Sequence, residues 1–78
     1  MREHWQCRTR HGTFSIRPFN DGWSPYFEDE NLGWYHSPNS ALDDLVGGHT
    51  ISPSSGVDTA DCGLPDELSE WTLVRRPG

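Results

Sequence analysis

From Pro18 to Val74 the chain contains no lysine and no arginine, yet eleven carboxylates fall inside that stretch. They are Asp21, Glu28, Asp29, Glu30, Asp43, Asp44, Asp58, Asp61, Asp66, Glu67 and Glu70. Carboxylates with no basic neighbour in sequence belong on a solvated surface. The bases are all arginine and all flank the stretch: Arg2, Arg8, Arg10 and Arg17 before it, Arg75 and Arg76 after it. With histidines neutral the middle carries −11 and the flanks +5, giving the net −6. This segregation narrows the options more than any other feature.

What remains for a core is thin. Leu, Ile, Val and Phe number only fourteen in 78 residues. Four Trp and two Tyr compensate, since each buries about 150–250 Å². The length sets one domain, residues 1–78, burying roughly 60–65% of its unfolded surface. No run of about 18 apolar residues exists, and the N-terminus lacks the apolar segment of a signal peptide, so a cytoplasmic protein is expected. In a reducing compartment Cys7 and Cys62 are expected as free thiols. An acidic surface repels nucleic acid and anionic membranes, so neither is expected as a direct partner.

Alternation predicts strands at Glu3–Thr9, with Trp5 and Cys7 on one face, and at Thr13–Phe19, with Phe14 and Ile16 on one face. Arg10-His11-Gly12 reads as a tight turn, and Asn20-Asp21-Gly22 as a hairpin turn whose glycine takes the positive φ. Trp23–Glu28 predicts a third strand. Glu30–Gly33 turns the chain, and Trp34–His36 predicts a short fourth strand. Ser37 is a good N-cap, Pro38 fits the first helical position, and Ala41, Leu42, Leu45 and Val46 form one apolar stripe. Gly47 is placed at the left-handed C′ position. Thr50–Ser52 is assigned as a short strand, Pro53–Gly63 as a flexible loop, and Pro65–Leu68 as one helical turn. Trp71–Arg75 closes the domain as a strand. The expectation is α+β: an antiparallel meander of four to five strands with one short α-helix on one face. Its edge strands allow a homodimer by pairing across a two-fold axis.

Candidate chemistry is sparse. His4-x-x-Cys7-x-x-x-His11 brings ligand types together, but a zinc site needs a fourth ligand, and a strand would turn His4 and Cys7 to opposite faces. Cys62 lies between Asp58, Asp61 and further acids, which disfavours a thiolate. Paired carboxylates such as Glu28 with Glu30 are available, although a small α+β unit offers little room for a pocket of about 300 Å³. Gly47-Gly48 lacks the Lys-Ser/Thr of a phosphate loop. No metal, no cofactor and no catalytic residue is assigned, and a non-enzymatic protein is expected.

The acids fall in three groups: Glu28, Asp29 and Glu30 at a hairpin end, Asp43 and Asp44 on the outer helix face, and Asp66, Glu67 and Glu70 before the last strand. A globule about 30 Å across would face about nine of the 18 phosphates on the same length of duplex DNA. Eleven carboxylates on one side would match that density. Trp23, Tyr26, Phe27, Trp34 and Tyr35 crowd thirteen positions, so some must stand outside the core, with Tyr26 and Trp34 the candidate anchors beside Glu28–Glu30. Two readings follow. The acids mimic a nucleic acid and dock on a basic protein surface; alternatively, an exposed Trp/Tyr patch makes the chain a protein–protein interaction or regulatory module.

In size, charge layout and style, the segments GWYHSPNSALDDLVGG and GLPDELSEW resemble small acidic phage and mobile-element inhibitors of the anti-CRISPR kind. The resemblance covers roughly Phe14 to Val74 and carries no residue roles. It implies binding to a CRISPR surveillance or effector complex, blocking its DNA-binding groove, in the cytoplasm of a bacterial host. The flanking arginines are expected on the side away from the acids.

Overall fold

The predicted alternation builds three long strands in the computed structural model, which describes residues 3–75. They are β1 (Glu3–Thr9), β2 (Gly12–Phe19) and β3 (Gly22–Phe27). Trp5 pairs with Ile16 and Cys7 with Phe14; Phe14 pairs with Phe27 and Ile16 with Pro25. Because side chains alternate, these six residues share one face. The edges are β4 (Glu30–Asn31), beside β3, and β5 (Thr72–Arg75), beside β1. The order is β4-β3-β2-β1-β5, every pair antiparallel.

One helix, α1 (Pro38–Gly47), packs on β2 and β3. Ser37 caps it, its Oγ accepting from Ser40 N at 3.2 Å. The end lies one residue beyond the expected one: Gly47 stays helical, and Gly48 takes the left-handed position at φ 76°. Ala41, Leu42 and Leu45 are buried against Phe14, Ile16 and Phe27. Residues 50–71 cover the rest of that face, burying Thr59, Leu64 and Trp71. Trp71 Nε1 donates to Pro65 O at 3.0 Å. The fold is α+β, as the sequence predicts, with a radius of gyration of 11.4 Å and extents of 36 × 22 × 21 Å.

Several local expectations shift. Trp34–His36 forms no strand. Pairing resumes only at Tyr35, which exchanges two 2.8 Å hydrogen bonds with Trp23, because the chain bends away at Gly33 (φ 149°). Thr50–Ser52 contributes one backbone hydrogen bond to the rest of the fold, Ile51 N to Leu32 O at 3.1 Å, and no strand. The helical turn expected at Pro65–Leu68 forms instead as a 3-10 turn at Leu68–Glu70, and another lies at Thr59–Asp61. In the β2–β3 turn Asn20 (φ 46°) and Asp21 (φ 64°) take the positive φ, not Gly22. Both residue types tolerate that region by local hydrogen bonding.

The second sheet face carries His4, Gln6, Arg8, Thr13, Ser15, Arg17, Ser24 and Tyr26, and no helix packs on it. Antiparallel sheets permit such one-sided covering. Among the described residues no helix is long and apolar enough to cross a membrane.

Candidate functional site

The three acid groups have different fates. In the first, at the β3–β4 turn, each carboxylate has a local partner. Glu28 (φ 54°) accepts from Thr13 N at 2.6 Å through Oε2. Glu30 accepts from Ser54 N at 3.0 and 3.1 Å and from Ser54 Oγ at 3.2 Å. It thereby ties the 53–63 loop to the sheet. Asp29, fully exposed, stands 4.0 Å from Arg17 NH1. This group fastens turns and a loop, and one of its members faces a base.

The second group divides. Asp43 is exposed on α1, while Asp44 is half-buried and faces Tyr35. Burial, then hydrogen bonding to Asp44 and the charge of that carboxylate, push Tyr35 up to about 12. The third group, Asp66, Glu67 and Glu70, is exposed throughout, around the turn that leads into β5. Asp58 and Asp61, at the turn Thr59–Asp61, are likewise exposed, Asp58 accepting from Ala60 N at 3.0 Å. Sequence reasoning left those two out, having placed them in a flexible loop. The Asp58 cap three residues before Asp61 was the signal for an ordered turn.

The connectivity thus sorts charge by layer. Residues 36–70 cover one face of the sheet with seven carboxylates and no lysine or arginine. Arg8 and Arg17 belong to the opposite face. Arg75 pairs with Glu3 at 2.8 Å, outside the three groups. Arg10 sits in the β1–β2 turn near Cys62. Arg2 and Arg76 lie outside the described residues.

The aromatic anchors do not stand together beside Glu28–Glu30. Tyr26 is half-buried beneath the Arg17 guanidinium, whose carbon lies 4.6 Å from the ring centroid. Trp34 is 42% exposed, but it lies at the other end of β3. Its ring crosses Gly22, and its Nε1 donates to Phe19 O at 2.7 Å. His36 meets it edge-on, with centroids 4.7 Å apart. Gly22 and Phe27 stand five residues apart along β3, about 16–17 Å at the usual rise. Glycine at 22 points its missing Cβ to the same side as Ser24 and Tyr26, so Trp34 also faces away from the acidic layer.

A depression of about 490 Å³ runs between β1 and the 61–65 segment, lined by Cys7, Arg10, His11, Asp61 and Cys62 among others. The fold therefore has more room than the sequence suggested. Burial raises the pKa of its Cys7 thiol, which disfavours the thiolate. Burial, then Asp58 and Asp61, raise Cys62 against a lowering by Arg10. Both are free thiols. Among the described residues no group of three or more His, Cys, Asp or Glu is placed to hold a metal ion. No family model, curated protein or solved structure matches the chain.

Proposed function

We propose that this is a non-enzymatic binding protein that docks its acidic covering layer on a basic, nucleic-acid-binding surface of another protein and competes with nucleic acid there. The observation that carries the reading is the layer itself: seven carboxylates from residues 36–70, a segment with no lysine or arginine, bordered by Arg10 only at the Asp61 end. Its contact residues are Asp43, Asp58, Asp61, Asp66, Glu67 and Glu70. Glu28, Glu30 and Asp44, engaged within the fold, contribute field rather than contact. Along the 36 Å long axis duplex DNA carries about 21 phosphates, about half facing one side, so the layer is of comparable though lower density. Steering by such a field makes association fast and salt-sensitive.

The most specific form of the reading is an anti-CRISPR role in a bacterial cytoplasm, with a CRISPR effector as partner. It rests on the resemblance of GWYHSPNSALDDLVGG and GLPDELSEW to such inhibitors. Expressing the chain in hosts with an active CRISPR system is then expected to restore phage plaquing or plasmid transformation. Lack of protection across the CRISPR types tested would remove this role. The second reading, an aromatic interaction module, is favoured by Trp34, which is exposed yet fixed by its bond to Phe19 O. Acid layer and Trp34 face opposite sides, so substitutions in one leave the other intact.

A further inference from the structure

The sheet face opposite α1 carries a second depression. Gln6 and Arg8 from β1, Thr13, Ser15 and Arg17 from β2, and Glu28 and Asp29 from the β3–β4 turn line a polar groove of about 260 Å³. Two arginines, Arg8 and Arg17, line it, in a chain whose carboxylates outnumber its lysines and arginines two to one. The Arg8 side chain nevertheless makes no hydrogen bond or ion pair among the described residues.

Arg17 is positioned but poorly satisfied. It stacks on Tyr26, and its NH2 reaches Ser15 Oγ at 3.5 Å and Glu28 O at 3.4 Å. Both distances are at the long limit for hydrogen bonds. Its carboxylate partner Asp29 stands 4.0 Å away and is fully exposed, the kind of surface pair that contributes about 0–1 kcal/mol. The other acid of the groove is committed elsewhere, since Glu28 accepts from Thr13 N at 2.6 Å. Ser15, 1% exposed, adds a hydroxyl at the floor.

We propose that this groove binds a small phosphate monoester, its phosphoryl oxygens held between Arg8 and Arg17 and the loosely held Asp29 turned out to solvent. Guanidinium forks fit carboxylate and phosphate alike, and the charge decides between them. A monocarboxylate would only replace Asp29 like for like, whereas a phosphate dianion gains a further charge against the two arginines. The volume exceeds that of a bare phosphate and leaves space for a short polar body along Gln6 and Thr13. The site is independent of the acidic layer, which lies across the sheet.

The test is an NMR titration of the ¹⁵N-labelled protein with inorganic phosphate and, separately, with phosphoserine, at constant ionic strength set by chloride. Saturable shifts at Gln6, Arg8, Ser15 and Arg17 are expected, with phosphoserine binding at least as tightly as phosphate. Arg8→Gln, on an exposed side chain, should weaken binding about tenfold. Asp29→Asn, which removes the competing carboxylate, should tighten it several-fold. Arg10→Gln, outside the groove, should leave it unchanged. Shifts that grow linearly and equally with chloride, or an Arg8→Gln protein that binds like the parent, would overturn the proposal.

Discussion

A methyl group at position 22 would overlap the Trp34 ring and the Tyr35 carbonyl oxygen. Position 22 therefore selects glycine for space, while Asn20 and Asp21 carry the turn's backbone. Gly22→Ala must displace Trp34 from Phe19 O, an overpacking that costs about 1–3 kcal/mol. For a domain this size that lowers Tm by about 4–24 °C, measurable by thermal unfolding; an unchanged Tm would contradict the packing described. Tyr35 gives a second residue-scale prediction. Its folded value of about 12 stands above the ordinary 10.0, so folding favours the neutral phenol. The stability this contributes is complete below pH 10 and is lost as pH rises toward 12. Phenolate absorbance should show one tyrosine titrating near 12. In Asp44→Asn that titration should move part of the way down, because burial, the largest cause, remains.

Among the elements, the 53–63 loop depends on one side chain. Glu30 binds Ser54 through both the amide and the hydroxyl, and hydrogen bonds to charged groups contribute about 1.5–3 kcal/mol each. Glu30→Ala is expected to speed amide exchange at Ser54 about tenfold or more, leaving β1 and β2 protected; unchanged exchange would show the loop is held by other contacts. The elements also mark what could be read in advance. Strands β1, β2 and β3 and the Ser37 cap were legible because alternation and capping are local. The fourth strand was not, since Trp34-Tyr35-His36 has strand composition but its pairing is decided by the bend at Gly33. The role of Glu30 was equally hidden, because its partner lies twenty-four residues away. Tyr26 read as a free anchor until β2 brought Arg17 over its ring.

At the scale of the molecule, a gradient in the sequence becomes a difference between two layers. The sheet comes mostly from the N-terminal half and holds Arg8, Arg17 and Arg75, with Arg10 in the β1–β2 turn beside Asp61; the covering layer comes from residues 36–70 and contains no arginine. The three acid groups were legible as sequence clusters. Which of them stays free was not, because Thr13, Ser54 and Tyr35 reach theirs only in the folded chain. This division puts the two readings of the surface on opposite sides of one sheet, where they are separable by substitution.

The most direct measurement compares the parent with two variants in the CRISPR-protection assay and in binding to whichever effector that assay identifies as inhibited. One variant carries Asp43→Asn, Asp66→Asn, Glu67→Gln and Glu70→Gln, all at exposed positions; the other carries Trp34→Ala. The acidic-layer account predicts that the first loses protection, loses affinity by at least about a hundredfold and loses most of its salt dependence, while the second behaves as the parent. Protection and affinity that survive the four neutralisations and vanish with Trp34→Ala would contradict it.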